Sequence, residues 1–217
     1  MSIDYKHQQV LDYCRRNKIF YLKADITIPE EVEQEALRLY EEDLFFDHRG
    51  GDGRGWASST LHGVDIDVTH YDPEHKPKYN WTVCSEYAPA MTDWLKEEFP
   101  NNGKYGRCRF MLLRPGGFIR AHTDTHKWQE GLPLKSDLFG AINICITQPD
   151  NCYLRSCETK EEVPFKPREV YWFDNGPFHE AANFSKQPRF HFIVHGGSNK
   201  ARKQLFIDSF EKEHGII

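Results

Sequence analysis

The chain has 217 residues, of which 39% are hydrophobic, 14% aromatic and 28% charged, and its formal net charge is −5 at pH 7. This composition is typical of a globular protein and excludes a disordered or fibrous chain. It also argues against a nucleic-acid partner, because nucleic-acid-binding domains are usually strongly basic.

The sequence gives no sign of a membrane or secretory destination. No apolar run approaches the roughly 18 residues of a membrane span, and the N-terminal segment MSIDYKHQQVLDYCRRNK is too polar for a signal peptide. We therefore expect a cytoplasmic protein without a membrane partner, and in that compartment free thiols. Cys152 and Cys157 alone are a weak zinc signal. The six cysteines are Cys14, Cys84, Cys108, Cys145, Cys152 and Cys157.

The first half of the chain holds the better helix candidates. Apolar residues recur at helical spacing after Asp4, in IPEEVEQEALRLYEEDLFF from Pro29 onward, and in SEYAPAMTDWLKEEF, which Pro100 ends. The glycine-rich segment 48–55 is predicted as a loop. GWASSTLHG and VDIDVTHY alternate enough to predict two short strands.

From Gly106 onward the pattern changes to short strands separated by turn signals. The predicted strands are RCRFMLL, FIRAHTD, LFGAINICI, CYLRS, EVYWFD and RFHFIVHGG. Arg114-Pro115-Gly116-Gly117 is predicted as a turn between the first two, and a polar loop follows to about Asp137. Strands at this spacing favour an antiparallel sandwich or barrel.

We expect a single domain over 1–217 with three sections. Residues 1–104 would form a helical preface with the first strands, and 105–198 a β core carrying the functional site. Residues 199–217 would form a C-terminal extension.

The segment RAHTDTH carries the first chemical signal. His122, Asp124 and His126 alternate, so a strand would place all three on one face. Two imidazoles and one carboxylate suit a non-haem Fe(II) site with open positions. His122 and Asp124 can supply two ligands, and the best candidate for the third is His179 in FDNGPFHEAANFS. An alternative site would use His122, His126 and His179.

Arg189 opens the otherwise apolar run RFHFIVHGG, which is a poor place for an unpaired charge. Its guanidinium requires a carboxylate, which a dicarboxylate cosubstrate would provide. The alternative is an edge-strand arginine paired with an acid of the protein itself.

Three blocks within residues 107–195 resemble the aspartyl/asparaginyl β-hydroxylase family of Fe(II)/2-oxoglutarate oxygenases. RCRFMLLRPGGFIRAHTD resembles the strand, Pro-Gly turn and first ligand histidine of the family. GAINICITQPDNCYLRS resembles its central hairpin, and REVYWFDNGPFHEAANFSKQPRFHFIVHG the block with the second histidine and an arginine beyond it.

The resemblance implies a double-stranded β-helix, or jelly roll, of the cupin-like kind. It implies His122 and His179 as iron ligands, 2-oxoglutarate and O₂ as cosubstrates, and Arg189 on the far carboxylate of 2-oxoglutarate. Some family members have glycine at the position of Asp124. Because the acid is present here, we expect a full facial triad, and we do not expect halogenase chemistry, which requires that position to be vacant.

Several positions depart from the pattern of the family. Its central strand often reads Arg-x-His, where this chain has Ala141 and Asn143. Asn143 can still donate a hydrogen bond to a carboxylate, and Arg109 falls where the family often has a basic residue. Met111 replaces a hydroxyl residue, and His191, on the face of Arg189, is expected to help bind the cosubstrate.

The expected reaction is hydroxylation of an unactivated C–H bond, with decarboxylation of 2-oxoglutarate to succinate and CO₂. The expected substrate is of amino-acid type, either free or carrier-borne, or an Asp or Asn residue of an intracellular protein. The segments 125–137 and 48–55 are predicted lids. The rival predictions are a non-catalytic jelly-roll binding module and a cupin-type metalloenzyme that does not use 2-oxoglutarate.

Overall fold

A computed structural model describes residues 2–48, 53–68, 78–101, 105–124, 142–195 and 199–216. The helices are α1 (Ile3–Arg16), α2 (Glu31–Glu41), α3 (Cys84–Tyr87), α4 (Pro89–Glu97) and α5 (Lys200–His214). The strands are β1 (Tyr21–Thr27), β2 (Phe46–Asp47), β3 (Gly53–Gly63), β4 (Asn80–Trp81), β5 (Cys108–His122), β6 (Ile142–Cys145), β7 (Cys152–Ser156), β8 (Glu169–Phe173), β9 (His179–Asn183) and β10 (Arg189–Val194). The predicted class, mainly β with flanking helices, is confirmed.

The strands form one connected antiparallel sheet that folds back on itself. Its major part has the order β1-β8-β6-β10-β5-β3-β2, and its minor part joins β7, β9 and β5. Strand β5 belongs to both parts. Cys108 to Leu113 pair with β10, whereas Phe118 to His122 pair with β9. The two parts of the sheet therefore face each other across a cavity.

The predicted turn at residues 114–117 is wrong, because β5 runs through it as one strand. Between Arg54 and Trp56 the register of β3 against β5 shifts, so the extra residues of β5 form a bulge. Gly116 has φ +70°, and a Cβ on Gly117 would lie 2.7 Å from the Arg114 carbonyl oxygen. These glycines let the strand bend without reversing.

Other predictions also need correction. The segment 64–68 of the predicted strand VDIDVTHY is not a strand, because the Val68 N–H donates to the Asp65 carbonyl and turns the chain. The predicted loop 48–55 becomes strand at Gly53, while 49–52 lie outside the described residues. The helix predicted in SEYAPAMTDWLKEEF is two helices, broken at Ala88 before Pro89. The C-terminal extension is α5.

The main core lies between the helices and the outer face of the major part. Alternate residues of its strands, such as Phe190 and Phe192, join Phe206 and Phe210 of α5 and Leu11 of α1 in this core. Each fully buried side chain of this size stabilises the fold by roughly 1.5–3 kcal/mol. The cysteines are free thiols, as predicted. None of the described helices has the length and hydropathy of a membrane span.

Candidate functional site

A cavity of about 250 Å³ lies between the two parts of the sheet. Strand alternation decides which side chains reach it, because successive residues point to opposite faces. His191 and Ile193 of β10 line the cavity, while Phe190 and Phe192 between them lie in the main core. The same alternation brings the following into the lining: Arg109 and Met111 of β5, Asn143 of β6 and Phe173 of β8.

The three predicted metal ligands meet at one end of the minor part. His122, the last residue of β5, is paired across the strands with His179, the first residue of β9. Their ring centroids are 4.4 Å apart. Asp124 follows β5, and its Oδ1 lies 3.4 Å from His122 Nε2. One ligand atom from each residue lies within 4.8 Å of the other two.

Both histidines present the same ring nitrogen. His122 Nδ1 lies 2.8 Å from the Arg120 carbonyl oxygen, and His179 Nδ1 lies 3.0 Å from that of Pro177. A carbonyl can only accept, so each Nδ1 carries a proton, and Nε2 is the ring nitrogen left to bind a metal. A backbone carbonyl is a common outer partner of a metal-binding histidine. The donor set, two imidazoles and one carboxylate, fits Fe(II).

Asn175 orients Asp124, a role that nothing in the sequence indicates beyond the place of Asn175 in the turn before His179. Asn175 Nδ2 donates to Asp124 Oδ2 over 3.0 Å, and the Asp124 N–H donates to the Asn175 carbonyl, also over 3.0 Å. This double contact ties the segment after β5 to the turn that leads into β9.

The charges of the site favour the forms that bind metal. Burial alone would raise the pKa of the Asp124 carboxyl, but the hydrogen bond with His122 and the nearby His179 hold it well below its usual range. Burial lowers the pKa of His179. Asp124 is therefore ionised and His179 neutral at pH 7, which are the states that coordinate a cation.

A second group of predicted residues surrounds Arg189, which lines the cavity and is 5% exposed. Its Nε donates to Gln148 Oε1 over 2.8 Å, and its guanidinium carbon lies 5.3 Å from the centre of the Phe165 ring. His191 Nδ1 lies 2.6 Å from Asn143 Oδ1. Gln148 was not predicted, because a glutamine in the turn QPDN carries no distinguishing sequence signal.

Arg189 has no acidic partner among the residues that the structure describes. Within the described ranges, no carboxylate forms an ion pair with its guanidinium, which excludes the predicted alternative there. Burial lowers the pKa of Arg189 to about 10, so the side chain is still charged at pH 7. A buried, unneutralised guanidinium that faces a cavity is a receptor for an anion.

Arg109 lies apart from the Arg189 group. In register it faces Ile193, two positions beyond His191 on β10, and its Nη1 lies 3.3 Å from His48 Nδ1. Met111 faces His191 across the same strand pair. Arg109 therefore adds positive charge to another region of the cavity lining.

Some predicted features lie outside the described residues. These are His126, Ala141 and the predicted lid 125–137, together with residues 49–52 of the other predicted lid. The alternative site that uses His126 is therefore not tested by the structure.

Comparison with known proteins places the chain in a family. The sequence model of the aspartyl/asparaginyl β-hydroxylase family matches residues 28–196, well over half of the chain. The chain belongs to the aspartyl/asparaginyl β-hydroxylase family. The match begins far upstream of the blocks that carry the resemblance in the sequence. No curated protein matches the chain.

Solved structures similar to this family member include OsALKBH1, with a TM-score of 0.50 and 10% identity over 82% of this chain and 96% of the other. A Trichoplax adhaerens prolyl hydroxylase, solved with a hypoxia-inducible-factor peptide fragment, has a TM-score of 0.49 and 14% identity, over 95% of this chain and 94% of the other. A Pseudomonas putida prolyl-4-hydroxylase has a TM-score of 0.44 and 14% identity, over 88% of this chain and 100% of the other. The likeness to OsALKBH1 confirms the predicted double-stranded β-helix.

Proposed function

We propose that this family member is an Fe(II)/2-oxoglutarate-dependent dioxygenase that hydroxylates an unactivated C–H bond of an amino-acid-type substrate. The observation that carries the proposal is the pairing of two receptors in one cavity. One is the His122, Asp124 and His179 cluster, and the other is the buried, unneutralised Arg189. A 2-oxo dicarboxylate has a metal-chelating end and a carboxylate end, and so matches both.

The protein holds the metal through three residues with different tasks. His122 and His179 offer Nε2, and Asp124 offers the carboxylate oxygen that Asn175 does not hold. Together these three residues would hold Fe(II) as a two-histidine, one-carboxylate set, which is typical of non-haem iron oxygenases. Bound iron supplies the O₂ activation that no side chain can perform.

The chain's own residues bind and orient the cosubstrate. Arg189 pairs with the far carboxylate, and Asn143 and His191 lie beside it as polar partners. Burial and the charge of Arg189 lower the pKa of His191 well below its usual value, so it binds as a neutral imidazole. Arg109 contributes positive charge to the cavity. Ile193 and Leu154 add apolar surface to the lining of the cavity.

The substrate is proposed from the family and from the size of the cavity. A space of about 250 Å³ suits a single amino-acid side chain or a small amino acid next to the cosubstrate. A free or carrier-borne amino acid and an Asp or Asn residue of an intracellular protein are both proposed as substrates.

The first test is the fate of 2-oxoglutarate. We expect the Fe(II)-loaded protein to convert 2-oxoglutarate and O₂ to succinate and CO₂. Arg189→Ala should abolish most of this conversion at low cosubstrate concentration, because the far carboxylate loses its counter-ion. Arg16→Ala, at an exposed position of α1, is the matched control.

The rival functions give different results in the same assay. A jelly-roll binding module would produce no succinate with any variant. A cupin-type metalloenzyme would bind the metal but ignore 2-oxoglutarate, so Arg189→Ala would leave its activity unchanged. Either result would overturn the proposal.

A further inference from the structure

The cosubstrate arginine is held in place by a neutral residue. Gln148 Oε1 accepts from Arg189 Nε over 2.8 Å and lies 3.2 Å from His191 Nε2. Gln148 Nε2 donates to the Cys152 carbonyl over 2.8 Å. Because a carbonyl can only accept, this contact fixes which end of the Gln148 amide faces Arg189 and His191.

The Gln148 contact occupies the guanidinium at Nε and leaves its terminal nitrogens for another partner. One of these, Nη2, lies 3.5 Å from His191 Nδ1. The Phe165 ring packs against both the Arg189 guanidinium and the His191 ring. The centroids of the Phe165 and His191 rings are 4.4 Å apart. Arg189 is therefore confined on several sides while its charge remains unneutralised.

The neutrality of Gln148 matters because the isosteric acid would make an ion pair with Arg189 at the same place. A carboxylate there would satisfy the guanidinium from within the protein and would repel an incoming carboxylate. An apolar residue would keep the charge of Arg189 but lose its orientation. Of these three kinds of side chain, the neutral amide alone both fixes Arg189 and preserves its charge.

We propose that Gln148 is a positioning residue that determines cosubstrate specificity. By fixing Arg189 without neutralising it, Gln148 makes the site select 2-oxo dicarboxylates over 2-oxo monocarboxylates. This inference rests on the proposed function, and it concerns the region where the chain lacks the family's usual Arg-x-His.

The test compares two ligands that share the chelating end. 2-Oxoglutarate carries the far carboxylate, and 2-oxopentanoate has the same carbon chain without it. Binding of both to the Mn(II)-loaded protein is measured by calorimetry without O₂. We expect Gln148→Glu to lower the affinity for 2-oxoglutarate roughly 30-fold or more, because disturbing a buried charge pair costs this much binding free energy. The affinity for 2-oxopentanoate should change less than about threefold.

Two further variants complete the design. Gln187→Glu makes the same chemical change at an exposed residue near Arg189 and should leave both affinities unchanged. Gln148→Leu removes the hydrogen bond without adding charge. It should lower the affinity for 2-oxoglutarate roughly 3- to 10-fold, as expected for one lost hydrogen bond, and leave the affinity for 2-oxopentanoate unchanged. If Gln148→Glu does not fold, the two affinities of Gln148→Leu decide whether Gln148 determines the selectivity for dicarboxylates.

The outcomes separate the two proposals. Loss of dicarboxylate selectivity in either Gln148 variant supports the role of Gln148. Equal weakening of both ligands, or no weakening of 2-oxoglutarate, would overturn it while wild-type binding of 2-oxoglutarate upholds the proposed function. If the wild-type protein binds 2-oxopentanoate as tightly as 2-oxoglutarate, the proposed function itself fails.

Discussion

Asp124 owes its orientation to a neighbour rather than to its strand. It lies beyond the end of β5, where no ladder fixes the chain, and Asn175 holds both its backbone N–H and its Oδ2. The remaining oxygen, Oδ1, faces His122. Oδ1 is therefore the Asp124 oxygen that would bind a metal.

Removal of the Asn175 side chain should therefore weaken metal binding. We expect Asn175→Ala to lower the Fe(II) or Mn(II) affinity roughly 10- to 100-fold, the usual effect of losing an outer-shell partner. Anaerobic calorimetric titration measures this affinity. Asn80→Ala, which removes an exposed amide whose described contact is with the Lys78 carbonyl, is the control. An unchanged affinity in Asn175→Ala would show that Asp124 needs no outer support.

The sequence predicts the residues of the His122, Asp124 and His179 cluster but not the side chains that support them. His122 and Asp124 are recognisable because they alternate on a strand, and His179 and Arg189 because the family blocks single them out. Gln148 and Asn175 are ordinary turn amides whose role depends on tertiary contacts between distant segments. Local sequence carries no record of those contacts.

Among the elements, β5 does most to build the site, because it carries Arg109 into the major part and His122 into the minor part. The sequence predicts a turn at its centre, since Pro-Gly-Gly is a strong turn signal. The pairing with β3 on both sides of the bulge keeps the chain extended instead. The bend thus places His122 opposite His179 rather than ending the strand.

Alanine substitutions in the bend should show this constraint. A Cβ on Gly117 would lie 2.7 Å and 2.9 Å from the carbonyl oxygens of Arg114 and Arg54, so we expect Gly117→Ala to lower the free energy of unfolding by roughly 1–3 kcal/mol. A Cβ on Gly116 would meet nothing within 4 Å. Its positive φ alone should cost about 1 kcal/mol. Urea denaturation measures the loss of unfolding free energy in each variant. A loss in Gly116→Ala equal to or larger than that in Gly117→Ala would contradict the steric explanation.

The class and most core strands of the molecule could be predicted, but strands β1 and β9 and helix α5 could not. Strand β1 was missed because only Leu22 and Ala24 alternate as buried residues among its polar neighbours. Helix α5 was missed, although Phe206 and Phe210 pack it against the core. Each depends on long-range packing that overrides a weak local pattern.

The cavity also gives the whole fold a dependence on pH. Burial and the charges of Arg107 and Arg109 lower the pKa of His195 to about 3, although Asp124 opposes the shift. Histidine in an unfolded chain titrates near 6.5. Between about pH 6.5 and 3 the unfolded state therefore binds a proton that the folded state does not. This contribution to stability is complete above pH 6.5 and is lost as the pH falls.

We expect the free energy of unfolding of the metal-free protein to fall between pH 7.5 and pH 5. In His195→Gln the fall should be shallower, because one of the groups that drive it is gone. Urea denaturation at a series of pH values measures both slopes. Identical slopes would show that His195 is not held neutral in the folded protein.

We propose that one cavity binds a metal through His122, Asp124 and His179 and binds a 2-oxo acid through Arg189. The most direct measurement is the visible charge-transfer band that forms when a 2-oxo acid chelates Fe(II). Under anaerobic conditions we expect the band on adding both Fe(II) and 2-oxoglutarate, its loss in His179→Ala, and its appearance only at much higher 2-oxoglutarate in Arg189→Ala. If the wild-type protein shows no band, or if His179→Ala retains it, the account is contradicted.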